Sequence, residues 1–186
     1  MLYYLIRHGQ TDWNVERRLQ GQCDIPMNPE GIRQMTALAE KLAARHVHID
    51  SVISSPLNRA FTSARILAER IGYKGEISLD ADFIERSFGL LEGTVWNSPL
   101  NLEDPVHHVE PLPDLCIRAK HALSKYAFPA DAEVMIVSHG AFLSALVHVL
   151  SDGTIPYADR NHPIIQGNAL CCEIHPHKPA IFYNLF

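Results

Sequence analysis

Three segments of the sequence place basic or imidazole side chains directly after an apolar run. The runs end at Ile6, Ser54 and Val137, and they lead into Arg7-His8-Gly9, Ser55-Pro56-Leu57-Asn58-Arg59 and Ser138-His139-Gly140. If the runs are parallel strands, two arginines and two histidines meet at the sheet edge where open α/β folds bind ligands. The helix expected after Gly140 directs amides to this edge, and a glycine after each histidine lets backbone approach a ligand. These features predict a site for a dianion such as a phosphate group.

The elements that must position these residues alternate between strand and helix. The apolar segments 2–6, 51–54 and 133–137 are typical of strands buried in a parallel sheet, and 169–174 and 181–186 predict an antiparallel hairpin. Helical periodicity covers about 28–45, 56–71, 114–126 and 141–150. We therefore expect an α/β protein, a three-layer α/β/α sandwich with a mostly parallel mixed sheet.

Capping signals define the first two long helices. Asn28 with a proline after it predicts a helix start, and the inward face of that helix is expected to carry Ile32, Met35, Ala39 and Leu42. Pro56 is expected to open the next helix and Gly72 to end it.

Periodicity fades between Ile77 and Pro113, where we expect loops and one short helix. Residues 86–113 are expected to form a lid on a single domain that spans residues 1–186.

Composition narrows the class of protein. The chain has 186 residues, 47% of them hydrophobic and 20% charged, which favours a folded core over disorder. A net charge of −5 argues against nucleic acid or an anionic membrane as partner. Four scattered cysteines and a short, uncharged apolar start without signal-peptide features favour the cytoplasm.

Five segments together resemble the histidine phosphatase superfamily, the phosphoglycerate mutase-like proteins. They read LIRHGQTDWN, RLQGQCDIPMNPEG, SSPLNRAFTSA, IERSFGLLEG and VSHGAFLSAL, and they follow the family's order. The likeness covers most of the chain outside residues 94–132. It implies a phosphoglycerate mutase-like fold and phosphoryl chemistry without a metal or other cofactor.

The resemblance also assigns roles around the expected phosphate site. It implies that His8 is the nucleophile that forms a phosphohistidine. Arg7, Arg59 and His139 would hold the phosphoryl oxygens, and Asn14 would add a neutral donor.

Further roles concern the leaving group. Glu85 corresponds to the family's general acid, which protonates the leaving alkoxide and then helps to activate water. Gln20 and Gly21 would line the substrate side, and Gly140 would border the bound phosphate group.

The lid favours water as the phosphoryl acceptor. Mutases of this family hold a substrate carboxylate with basic residues in the lid, but no Lys or Arg lies between Arg86 and Arg118. The acidic residues there are Glu92, Glu103, Asp104, Glu110 and Asp114. We therefore expect a phosphomonoesterase for a small metabolite such as a sugar phosphate, phosphoserine or α-ribazole phosphate. The alternatives are a cofactor-dependent phosphoglycerate mutase and a non-catalytic phosphate-binding member of the fold.

Several lid residues have two interpretations. The family's phosphatases often carry Gly-Gly-Glu-Ser where this chain reads Val-Glu-Pro-Leu-Pro-Asp, so lid contacts do not transfer directly. His107 and His108 are either exposed loop residues or substrate contacts. Phe88, Trp96 and Leu100 pack either on an apolar leaving group or in the lid's own small core.

Histidine and cysteine side chains also form candidate metal-binding groups. The histidine pairs His46/His48 and His107/His108 and the segment Cys171 to His177 have poor spacing for a metal, since adjacent strand residues point to opposite faces. We expect no metal site.

The C-terminal strand, with Phe182, Tyr183 and Phe186, is either a homodimer edge or is covered by a loop.

Overall fold

The fold is built on one mixed β-sheet. The computed structural model describes residues 1–96 and 101–186, so Leu100 lies outside the described residues. The strands are β1 (Leu2–Arg7), β2 (Ser51–Ser54), β3 (Ile77–Leu79), β4 (Glu133–Ser138), β5 (Ala169–Glu173) and β6 (Ile181–Asn184), arranged as β3-β2-β4-β1-β5-β6. The first four strands are parallel, and β5 runs antiparallel to both of its neighbours.

Helices cover both faces of the sheet. They are α1 (Asp12–Val15), α2 (Pro29–Ala44), α3 (Asn58–Ile71), α4 (Leu112–Ser124) and α5 (Gly140–Leu150). Alternate residues of β1 face opposite layers: Leu5 packs with side chains of α4 and α5, and Ile6 packs with side chains of α2 and α3. The three-layer α/β/α sandwich with a mostly parallel mixed sheet is therefore confirmed.

Local signals explain most helix boundaries. The side chain of Asn28 accepts a hydrogen bond from Gly31 N at 2.9 Å, and Gly72 ends α3 with a φ of 79°. Ile32 is wrongly placed by the sequence analysis, because it is 46% exposed instead of facing the core. Helix α3 also begins two residues after Pro56, because Leu57 still has extended backbone.

The expected lid contains little regular structure. Short 3₁₀ turns occupy residues 81–83, 89–91 and 105–107, and α4 begins two residues earlier than expected. The sequence analysis missed β3, because a three-residue, half-exposed edge strand has no periodicity to detect. Among the described helices, none has the length and apolar character needed to span a bilayer.

Candidate active site

The strand register brings the three chemistry-bearing segments together. Arg7 pairs with Ser138 at the carboxyl ends of β1 and β4, and Ser54 pairs with Val137 across β2 and β4. A pocket of about 220 Å³ lies at this edge. Eight of the predicted site residues line it, namely Arg7, His8, Asn14, Gln20, Gly21, Arg59, Glu85 and Gly140. The ninth, His139, is fully buried beside it, with its ring centroid 5.1 Å from that of His8.

His8 is held as a neutral imidazole with one free nitrogen. Its Nδ1 lies 2.7 Å from Gly9 O, which assigns the proton to Nδ1 and leaves the lone pair on Nε2. Burial, followed by the charges of Arg59 and Arg7, lowers the pKa of His8 well below its usual 6.5. The arrangement suits a nucleophile, which must be unprotonated.

His139 is oriented by Ser55, a contact to which the sequence analysis gave no role. Ser55 Oγ accepts from Leu57 N and lies 2.8 Å from His139 Nε2, where its hydroxyl proton can bond a neutral imidazole nitrogen. The tautomer assigned in this way carries its proton on Nδ1, which is buried without a partner among the described residues. Burial, followed by the charge of Arg59, lowers the pKa of His139 well below 6.5.

Two guanidinium groups concentrate positive charge in the pocket. Arg59 is fully buried and donates to Cys23 O at 2.6 Å and to Gly21 O at 2.8 Å. The Nε atoms of Arg59 and Arg7 are both buried without a hydrogen-bond partner in the described part of the chain. Burial lowers the pKa of each guanidinium below its usual value, but arginine stays charged. Such unpaired donors favour binding of a dianion.

Glu85 is fixed at the N-terminus of α5. Its Oε1 accepts from Arg86 N and Phe142 N, both at 2.9 Å, and its Oε2 accepts from Ala141 N at 3.3 Å. The expectation that these helix amides bind phosphate is therefore corrected, because the carboxyl group of Glu85 takes them. The side chain is only 9% exposed and faces the pocket beside Arg7.

The two glycines that follow the histidines serve different purposes. A Cβ on Gly9 would lie 2.4 Å from Gly31 O. Gly9 therefore allows the chain after β1 to pack closely on α2, and this close contact is with the protein and not with a ligand. A Cβ on Gly140 would lie 3.4 Å from the Arg7 guanidinium. Gly140 thus borders the pocket by packing closely on the arginine that would hold the ligand.

Asn14 and Gln20 present amide groups to the pocket. Asn14 Oδ1 accepts from Thr11 N and from Gln166 Nε2, both at 3.0 Å, so its NH₂ group is left for a ligand. Gln20 Oε1 accepts from the Thr11 hydroxyl at 2.9 Å. The sequence analysis missed Gln166, which also donates to His8 O at 3.3 Å, since no motif marks this residue ahead of the hairpin.

Acidic residues of the lid are engaged within the protein. Glu110 pairs with Arg118 at 2.8 Å, and Glu103 pairs with the buried Arg86 at 3.3 Å. Glu92 accepts from Gln22 N at 3.0 Å and from Phe88 N at 3.1 Å. These contacts hold the side chains of Glu92, Glu103 and Glu110 within the segment expected to form the lid.

Aromatic and imidazole residues of the lid separate into pocket and surface groups. Phe88 lines the pocket, whereas Trp96 is 43% exposed. His107 is half-buried and His108 is exposed at the turn of residues 105–107, and neither lines the pocket, which favours the exposed-loop interpretation for His108.

The metal alternative has no support in the described part of the chain. Across residues 1–96 and 101–186, no three His, Cys, Asp or Glu side chains are grouped to hold an ion. Cys171 and Cys172 pack in the cores on opposite faces of the sheet, as their adjacency on a strand predicts.

Comparisons with known proteins agree with the fold. Residues 3–181 match the family model of the histidine phosphatase superfamily (branch 1). The probable phosphoglycerate mutase GpmB of Enterobacter sp. (strain 638) is 34% identical over 171 residues, covering 84% of this chain and 77% of that protein. The uncharacterized phosphatase PhoE of Bacillus subtilis (strain 168) is 35% identical over 153 residues, covering 80% and 77%.

A solved structure shows the same architecture. The putative alpha-ribazole-5'-P phosphatase from Escherichia coli (K-12 substr. MG1655) superposes with a TM-score of 0.83 at 23% identity, covering 100% of this chain and 96% of that one. The family match spans nearly the whole chain and includes every strand and helix that contributes to the pocket. The chain belongs to the histidine phosphatase superfamily, branch 1.

Proposed function

We propose that this protein is a metal-independent phosphomonoesterase that hydrolyses a small phosphorylated metabolite through a phosphohistidine at His8. The observation that carries the proposal is the state of His8, a buried imidazole whose Nδ1 is bonded to Gly9 O and whose Nε2 is free. This nitrogen belongs to a pocket that also holds the guanidinium groups of Arg7 and Arg59.

The first step transfers the phosphoryl group to the protein. The lone pair of His8 Nε2 attacks phosphorus, and the bond between phosphorus and the ester oxygen breaks. That oxygen takes a proton from the carboxyl group of Glu85 and leaves as an alcohol. The Nδ1 proton stays on its bond to Gly9 O, and this bond stabilises the positive charge that develops on the ring.

The second step regenerates the free protein. Water attacks the phosphohistidine and gives a proton to the Glu85 carboxylate, the N–P bond breaks, and His8 returns to its neutral form. Throughout both steps Arg7, Arg59 and the Nδ1–H of His139 stabilise charge on the equatorial oxygens. The groups that neutralise the phosphoryl charge in this scheme all belong to the chain.

The lid supports water over a second sugar or acid as the phosphoryl acceptor. Its acids Glu103 and Glu110 are paired with Arg86 and Arg118, and neither arginine lines the pocket. Mutases of this family need free cations in the lid for a second anionic group of the bisphosphate. Relatives of this chain carry both mutase and phosphatase names, so acceptor choice must be measured.

The test is steady-state phosphate release from 3-phosphoglycerate, phosphoserine, α-ribazole phosphate and sugar phosphates, with EDTA present. The wild-type protein is expected to release phosphate, vanadate to inhibit, and EDTA to have no effect. His8→Ala should abolish turnover, whereas His175→Ala should not, because this exposed histidine follows β5 at the opposite edge of the sheet. A phosphoryl adduct on His8 should appear by mass spectrometry after rapid quenching.

Unchanged turnover in His8→Ala would overturn the mechanism. Bound phosphate without release from any ester would favour the two alternatives. Turnover that requires a priming bisphosphate would identify a mutase, and its absence would identify a non-catalytic binding protein.

A further inference from the structure

A second cavity of about 360 Å³ opens beside the phosphate pocket. Its walls are the first turn of α5 and residues 157–164, a segment between α5 and β5 that lies outside the lid. Arg7, Gly140 and Ala141 line both cavities. The two therefore form one cleft that is continuous past the Arg7 guanidinium, and the second part is large enough for a small metabolite.

This cavity lies on the side where the ester oxygen would leave. Ala141, which lines it, donates its N–H to Glu85 Oε2 at 3.3 Å. Tyr157, also in its wall, is close enough to Glu85 that the carboxylate charge adds to burial in raising the pKa of the phenol. A leaving group that takes its proton from Glu85 therefore has its remaining atoms next to this cavity.

The wall of the cavity carries an exposed cation. Arg160 makes no hydrogen bond or ion pair with any of the residues in 1–96 and 101–186. The acid beside it, Asp159, is already engaged by His162 Nδ1 at 2.8 Å and by Asn161 N at 3.1 Å. The lining thus carries two guanidinium groups, Arg160 and Arg7, against the one carboxylate of Asp159, so the cavity has a net positive charge that attracts an anionic molecule.

We propose that this cavity is the leaving-group subsite and that Arg160 selects phosphate monoesters whose leaving group carries a carboxylate. The proposal depends on the phosphatase function proposed above and assigns its substrate class. The sequence analysis looked for such a cation only in the lid. The structure supplies one from the segment after α5 instead, where a planar guanidinium can bind a carboxylate with two hydrogen bonds.

The test compares two esters that differ in one group. 3-Phosphoglycerate carries a carboxylate where glycerol 3-phosphate carries a hydroxymethyl group. In Arg160→Gln, kcat/KM for 3-phosphoglycerate should fall about tenfold, the lower end for a hydrogen bond to a charged group, because Arg160 is exposed. The value for glycerol 3-phosphate should not change, and Arg160→Lys should keep most of the preference.

Two controls separate the subsite from the phosphate pocket. The inhibition constant of inorganic phosphate should be unchanged in Arg160→Gln, because phosphate has no leaving group. Arg70→Gln, which removes an exposed arginine at the end of α3, should alter neither ester.

The outcomes distinguish this inference from the proposed function. An equal effect of Arg160→Gln on both esters, or no effect on either, would overturn the subsite and leave the phosphatase function standing. No phosphate release by the wild-type protein from any ester would overturn both.

Discussion

Replacing Glu85 by glutamine removes the proposed acid and keeps a side chain of nearly the same shape. The carboxyl group accepts from the N–H groups of Arg86, Phe142 and Ala141. A glutamine oxygen in the Oε1 position still accepts from the N–H groups of Arg86 and Phe142. The glutamine NH₂ group then faces the N–H group of Ala141, and two donors cannot form a hydrogen bond. Glu85→Gln thus tests proton transfer with a defined structural cost.

The structural cost and the chemical cost have different magnitudes. One buried N–H left without an acceptor lowers the free energy of unfolding by about 1–3 kcal/mol. Loss of a general acid slows cleavage of an alkyl ester by about 10²–10⁴-fold, because an alkoxide leaves poorly without a proton. An aryl ester such as 4-nitrophenyl phosphate has a leaving group that is stable as an anion, so it should lose much less.

The assay is kcat/KM for 3-phosphoglycerate and for 4-nitrophenyl phosphate in the wild-type protein and in Glu85→Gln, because kcat/KM reports the first phosphoryl transfer and not the hydrolysis of the phosphohistidine that both esters share. We expect the loss on the alkyl ester to exceed the loss on the aryl ester by at least about tenfold. Glu76→Gln, an exposed carboxylate at the far edge of the sheet, is the matched control and should change neither. Equal losses on both esters in a folded variant would refute the role of Glu85 as an acid.

Two further predictions concern the buried histidines. The lowered pKa of His8 means that the unfolded chain binds a proton that the folded chain does not, so stability falls as pH drops below about 6.5. His8→Gln should reduce that slope by about 1.4 kcal/mol per pH unit in denaturant unfolding, and an unchanged slope would contradict the neutral state. Ser55→Ala frees the ring of His139 and should weaken phosphate inhibition roughly tenfold, whereas Ser55→Thr keeps the hydroxyl group and should bind normally.

The parts of the site that the sequence predicts are those fixed by local structure. An apolar strand that ends in Arg7-His8 or in Ser138-His139 delivers these residues to the carboxyl edge, whatever the rest of the chain does. Register then aligns the strand ends, because buried parallel strands pair along their whole apolar length. Arg59 follows from the same logic, as the second residue of α3.

The parts that the sequence does not predict depend on contacts between distant segments. Glu85 reaches the amides of α5 from a position just before the expected lid, 56 residues earlier than Ala141, and no local pattern in either segment encodes that bond. The sequence analysis therefore assigned the N-terminal amides of α5 to phosphate, whereas in the structure they donate to the carboxyl group of Glu85. Gln166 and Arg160 lie in a connection without periodicity, so their positions follow only from the path of the chain between α5 and β5.

Different parts of the fold position the residues proposed for phosphoryl transfer and the residue proposed for substrate selection. The proposed nucleophile and phosphate-holding arginines sit on or next to strands whose cores are fully buried, so their positions are fixed by packing on both faces. Arg160 is exposed and sits in an irregular connection, the kind of segment that generally tolerates substitution better than a core element. Under the proposed assignment, a change of leaving group involves substitutions in 157–164 and leaves the phosphoryl chemistry at His8 intact, whereas a change at Arg59 or His139 affects every ester alike.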